Sequence, residues 1–356
     1  MACSLAFLAS CQPDDPNQDP TPDPVIPVVP DTPSGSGISG VYVLNEGNFT
    51  FANASLSYYD LGMDSVFNNL FYKANNAPLG DVAQSMALSD GKLYIVVNNG
   101  NYIYKVDAAT ISFEAKLQDF YSPREMCIVA PNKAYVSDLM GTALWIVNPQ
   151  DMTHIGSVEM GKSTEKMVPV GAELYVSNWS NYYVPGMEKN TVQVVDINND
   201  VKVAEIQVGK EPNTMALDKD NHVWVLCEGA VWDEDGENPS LWEINPMLKT
   251  AEKRYAFEGS AMALRSAPTG DQFYLIYNNE VRRFDIGTMA LSETFCIAPG
   301  AGSVFYNIAV EPKSGDVYVT DARNYMMNGT VYRYSNDGVL LTSFEAGVIP
   351  DAMLFK

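Results

Sequence analysis

Histidine is nearly absent from the chain: 356 residues contain two, His154 and His222. His154 lies beside a segment, HIGSVEM, that reads as an outer strand, and His222 falls in the short turn of DKDNHVWV. Neither belongs to a long loop, so a histidine-dependent triad or a metal centre is not expected. Basic residues are scarce as well. Lys and Arg number 22 against 44 Asp and Glu, a formal net charge of −22, and none precedes Lys73. A phosphate backbone would be repelled, which removes nucleic acid as a partner. No apolar run reaches the roughly 18 residues a membrane-spanning helix needs, and no long segment carries helical periodicity. The five cysteines form no CxxC pair, so neither a disulfide framework nor a zinc site is indicated. Cys127, Cys227 and Cys296 lie in apolar, strand-like segments such as MCIV and VWVLC and are expected as buried free thiols.

What is present is a repeat. The pattern is plainest in Asn132 to Leu144, NKAYVSDLMGTAL, where an apolar strand, AYVSD, is followed by a loop and a second strand. Related strands occur at Gly40 to Asn45, Leu93 to Asn98, Leu174 to Asn178, Val223 to Cys227, Phe273 to Asn278 and Val317 to Asp321. Counted from Val41, Leu93, Ala134, Leu174, Val223, Phe273 and Val317, successive starts lie 40 to 52 residues apart, about the period of a four-stranded propeller blade. The composition, 46% hydrophobic and 11% aromatic with 25 Gly and 21 Pro, suits many short strands and turns. The fold class is therefore all-β, a seven-bladed β-propeller. Each repeat strand follows a short apolar strand and a turn, except the first. The missing piece is at the other end of the chain, where Pro350 to Lys356, PDAMLFK, has the character of an innermost strand with nothing after it. Pairing it with Gly40 to Asn45 would close the first blade with the C-terminal strand and leave no sheet edge open in the ring.

Ahead of the propeller, expected over residues 38–356, stand two other segments. Residues 1–11 end in Leu8, Ala9, Ser10 and Cys11, which resembles the lipobox of a bacterial lipoprotein, here at the end of a truncated signal, with Cys11 as the lipidated residue. Residues 12–37 are rich in Pro and Asp and are expected as a disordered tether. Asp14 and Asp15 resemble the acidic signal that exports lipoproteins of Bacteroides-type bacteria to the cell surface. The glycines between Gly35 and Gly40 precede no helix and read as linker rather than as a phosphate cradle.

Strand alternation commits most propeller side chains to packing between blades, leaving recognition to the loops at the two faces of the ring. Loops after the repeat strands are long in blades one, four, five and seven and short in the others. The long ones carry Phe49, Phe51, Trp179, Tyr182, Tyr183, Trp232 and Tyr325 among Asn, Glu and Arg, the residue types of a recognition surface. The crossings into the innermost strands supply Gln84, Arg124, Lys166, Asn213, Tyr306 and Asp351, expected at the mouth of the central channel. Asp233, Asp235, Gly236 and Asn238 are spaced unlike an EF-hand loop and read as a solvated hairpin tip.

AYVSD, LYVSN and VYVTD, with segments such as VQVVDINNDVKVAEIQVGKEPNTMAL, resemble the YVTN or YncE-like family of bacterial seven-bladed propellers. Together with the lipobox, the tether and the aromatic loops, the chain is similar in architecture to surface lipoproteins of Bacteroides-type bacteria that capture cobalamin. The resemblance implies a non-enzymatic function at the cell surface. An outer-membrane lipoprotein, held only by its lipid anchor, would bind a corrinoid on the loop face and pass it to a TonB-dependent outer-membrane transporter. No cofactor is expected, cobalamin being the ligand. The expected ligand-binding residues are Phe49, Arg124, Trp179, Tyr182, Tyr183, Trp232, Tyr306 and Tyr325, since aromatic faces with amide and guanidinium donors suit an apolar ring edged with amides. Two other classes stay open. A scaffold propeller would offer the same aromatic loops to a protein partner. A lactonase-like enzyme would draw its acid and base from Glu46, Glu228, Asp138 and Asp321, which follow repeat strands on that face.

Overall fold

A computed structural model describes residues 39–179, 189–231, 234, 236–297, 299–300 and 302–356. Cys11, the tether 12–37, Tyr182, Tyr183, Trp232, Asp233 and Asp235 lie outside the described residues.

The chain forms seven four-stranded antiparallel sheets arranged as a propeller. The repeat strands occupy the second position of each blade: Gly40–Asn45, Lys92–Val97, Lys133–Asp138, Glu173–Asn178, Val223–Cys227, Gln272–Tyr277 and Val317–Asp321. Both faces of such a strand are covered by neighbouring blades. That is why it reads as an unbroken apolar run rather than an alternation. Gly40–Asn45 and Val223–Cys227 are buried at every position, whereas the outer strand Val201–Gln207 is exposed at most of its residues. The buried apolar side chains form seven clusters, one per seam.

The ring closes as the sequence predicts. Pro350–Phe355 is the innermost strand of the first blade and pairs antiparallel with Gly40–Asn45, in the register Val41 to Phe355, Tyr42 to Leu354 and Val43 to Met353. Outside the ladder, the Ser39 amide donates to the Lys356 carbonyl at 2.6 Å and the Lys356 amide to the Gly40 carbonyl at 2.9 Å.

Three details differ from the sequence expectation. Asn98 and Asn278 stand just past their strands and hold turns instead. A six-residue helix, Leu70–Asn75, joins the first two blades and buries Phe71. It is too short to give a 3.6-residue period. Cys227 and Cys296 are buried, but Cys127 is only partly so, because its strand, Pro123–Ala130, is innermost and borders the channel. Among the described residues, no helix is long and apolar enough to cross a membrane.

Candidate functional site

Six of the seven innermost strands carry a bulge or register shift, and these build much of the site. In the second blade Ala83 pairs with Val97 and Ser85 with Val96, leaving Gln84 as the extra residue. The same offset frees Asn213 between Pro212 and Thr214, and Tyr306 between Phe305 and Asn307. Wider irregularities put Arg124 between Pro123 and Met126, and Asp351 beside the Val43 to Asn45 step of its partner strand. A bulged residue leaves the ladder and can be re-aimed. Here each is turned into the channel mouth.

The repeat motif itself holds two of these bulges, and in the fourth blade it holds the residue that enters a regular innermost strand. The hydroxyl of the Ser or Thr in AYVSD, LYVSN and VYVTD accepts a backbone amide at each of these entries. Glu125 N–H donates to Ser137 Oγ at 3.0 Å, Lys166 N–H to Ser177 Oγ at 3.1 Å and Asn307 N–H to Thr320 Oγ1 at 2.9 Å. The closing Asp or Asn holds the crossing loop. Asp138 accepts the amides of Tyr121 and Ser122 at 2.9 Å each, and Asp321 accepts those of Val304 and Arg323 at 2.8 Å.

The result is a funnel of about 560 Å³ on the loop-bearing face, to which every blade contributes. This falls within the roughly 300–1,000 Å³ common for small-molecule sites. Gln84, Arg124, Lys166, Asn213, Tyr306 and Asp351 all line it, with Phe49 and Trp179. A belt of polar side chains runs around the wall. Arg124 pairs with Glu165 through Nε–Oε2 at 2.7 Å and Nη2–Oε1 at 2.8 Å, and its Nη1 donates to Gln84 Oε1 at 2.6 Å. Tyr306 OH donates to Glu46 Oε2 at 3.1 Å. Arg265 Nη2 donates to Asn307 Oδ1 at 2.8 Å, and Asn307 Nδ2 to Asp351 Oδ1 at 2.6 Å.

Burial governs the ionisation of this belt. It pushes the Glu46 carboxyl up to about 8, with the Asp351 carboxylate adding to the rise. It pushes Glu228 up to about 7, against the hydrogen bond that Asn213 Nδ2 donates at 2.6 Å. Burial also raises the Tyr306 phenol and weakens the hold of Arg265 on its proton. Burial opposes the Arg124 charge too, but Glu165, with Glu46 and Asp351, more than offsets it. The Trp179 indole N–H is buried without a hydrogen-bond partner among the described residues, although it is near enough to Glu228 to favour the ionised carboxylate. The Arg124 guanidinium lies 5.8 Å from the centre of the Trp179 ring.

The other expected residues are sorted by position. Phe49 and Phe51 stand exposed at the rim. Tyr325 is on the rim rather than in the wall, its ring 6.1 Å from that of Tyr306. Glu46 and Glu228 face the funnel, whereas Asp138 and Asp321 are fully buried and spent on loop amides. The acid–base set expected of an enzyme is therefore only half assembled. Glu165, Arg265 and Asn307 were not singled out from the sequence. The available signal was a polar or charged residue inside an apolar innermost segment, as in AMALRS. His154 and His222 belong to the opposite face.

Residues 39–347 match the family described as Domain of unknown function (DUF5074). No curated protein matches the chain. Among solved structures, a quinonprotein alcohol dehydrogenase-like protein from Bacteroides thetaiotaomicron VPI-5482 superposes with a TM-score of 0.68 at 16% identity, over 89% of this chain and 78% of that one. Hydrazine synthase of Kuenenia stuttgartiensis superposes with a TM-score of 0.63 at 15% identity, over 76% and 88%. Apo AztD from Citrobacter koseri gives 0.57 at 10% identity, over 90% and 99%. At these identities the likeness is one of fold alone.

Proposed function

The chain belongs to the DUF5074 family, and we propose that it is a binding protein that holds a corrinoid in the funnel. The observation that carries this reading is the donor set of the wall. Gln84, Asn98, Asn213 and Asn307 bring amides to it and Arg124 and Arg265 guanidinium groups, each already hydrogen-bonded within the wall or its loops, and Trp179 a buried N–H with no partner among the described residues. A broad apolar ring edged with amides can share or replace these wall hydrogen bonds, with Phe49 and the Trp179 indole against its faces. The funnel is open, so a ligand larger than its volume would project and meet the rim.

In the same reading the protein is anchored through acyl chains on Cys11 at the outer surface of the outer membrane and hands its ligand to a TonB-dependent transporter. Support for a docked partner comes from the rim. Phe49, Phe51, Tyr121, Met140, Met326 and Met327 are all exposed, and large apolar side chains around a site are what an interface uses. Calorimetric titration with cyanocobalamin, followed by gel filtration, tests the binding. The protein should give saturable heat and elute coloured. A silent titration with a colourless peak would leave the rim as a surface for a protein partner and remove the corrinoid.

A further inference from the structure

On the face opposite the funnel, the fifth blade gathers three metal-ligating side chains. Asp218 and His222 flank the turn between the innermost strand Pro212–Leu217 and the second strand Val223–Cys227, and Glu243 lies on the third strand, Ser240–Asn245. One ligating atom from each lies within 4.8 Å of the others. His222 Nδ1 is 2.5 Å from Glu243 Oε1 and 3.7 Å from Asp218 Oδ2. We propose that Asp218, His222 and Glu243 bind one divalent transition-metal ion of the zinc type, with solvent completing the coordination.

Three observations support this. The carboxylates are held from behind, as those of metal sites are. Asp218 Oδ1 accepts the amides of Asp220 and His222 at 2.9 Å each, Trp224 Nε1 donates to Asp218 Oδ2 at 2.9 Å, and Arg254 Nε donates to Glu243 Oε2 at 2.5 Å. Glu243 Oε1 and His222 Nδ1 share a hydrogen bond at 2.5 Å, and an ion would replace that contact, the two ligand atoms moving apart to coordinate it. The local charge also suits a dication. Asp218, Asp220, Glu243 and Glu252 oppose Lys219, paired with Asp220, and Arg254, paired with Glu243 and Glu252; with His222 neutral the cluster carries two net negative charges. Lastly, the mixed nitrogen and oxygen donors favour a first-row transition metal over calcium or magnesium, which take oxygen. The His222 side chain is 31% exposed and gives an ion a way in, whereas those of Asp218 and Glu243 are 6% and 12% exposed.

The competing account is an ion-pair network with no affinity for metal, and titration separates the two. The full chain, purified without a histidine tag and stripped with chelator, is titrated with Zn²⁺ by calorimetry and with Co²⁺ by visible absorption. One ion per chain is expected, with a raised melting temperature and quenching by Co²⁺ of the Trp224 fluorescence. His222→Ala and the near-isosteric Glu243→Gln should each abolish binding at the concentration that half-saturates the parent. Trp179→Ala, in the funnel, should leave it unchanged. No saturable binding by the parent, or binding that survives both substitutions in folded protein, overturns the proposal.

Discussion

Arg124 and Glu165 meet across the seam between the third and fourth blades in a two-point pair, with side chains only 12% and 2% exposed. Arg124 also reaches Gln84 in the second blade, so one guanidinium ties three blades together at the funnel wall. Removing one partner of a buried pair strands the other charge, at about 3–5 kcal/mol, whereas replacing both by apolar groups often costs little. Arg124→Ala should therefore lower the urea midpoint by an amount corresponding to about 3 kcal/mol, and Arg124→Met with Glu165→Leu should recover most of it. A double variant no more stable than the single one would show that the pair's partners in the wall, rather than the stranded charge, set the cost.

The C-terminal strand carries the second prediction. Deleting residues 348–356 removes Met353 and Phe355 from the seam between the seventh and first blades and exposes the ladder edge of Gly40–Asn45. The truncated chain should aggregate or melt far below the parent. A truncation that melts like the parent would mean that hydrogen bonding between the two termini contributes nothing to closure.

The third concerns pH. A carboxyl raised by folding binds protons more readily in the native than in the unfolded chain, so stability falls as pH rises between the two pKa values. For Glu46, raised to about 8, the contribution is fully present below its unfolded value near 4.5 and is lost as pH rises through about 8. Glu46→Gln should abolish that part of the slope. The parent-minus-variant difference in unfolding free energy should decrease steadily between pH 5 and 8.5. A difference that does not change over that range would place the Glu46 carboxyl in ordinary solvent.

The sequence made the ring and its closure legible because both rest on burial that recurs seven times: an apolar second strand per blade, and one innermost strand displaced to the end of the chain. The polar mouth was legible where the crossings bring in Gln84, Arg124, Lys166, Asn213, Tyr306 and Asp351. What was not legible is how these groups are connected. Arg265 reaches the funnel only because its strand slips register between Met262 and Arg265, and Glu165 is defined by a partner 41 residues away. Asp138 and Asp321 are the last residues of their strands and take up loop amides, whereas Glu46 and Glu228 stand one position later and face the funnel. A one-residue offset turns a side chain to the other side, and the repeat pattern alone sets all four residues at the same position.

Trp179 decides the ligand reading. It has a ring beside a guanidinium and an indole N–H without a partner among the described residues, both in the funnel wall. Aromatic anchors of this kind typically cost about 2 kcal/mol or more when cut to Ala, near thirtyfold in affinity. Trp179→Ala should weaken cyanocobalamin binding by about that factor, and Phe49→Ala, on the exposed rim, by less. Trp179→Phe separates the two contributions, since it keeps an aromatic face and loses the donor. An affinity between those of parent and Ala variant would assign part of the energy to the N–H. Cys296→Ala, on the outermost strand of the sixth blade, should bind as the parent does. Calorimetry on the four variants beside the parent provides the measurement, and binding indifferent to Trp179 and Phe49 alike would move the ligand out of the funnel.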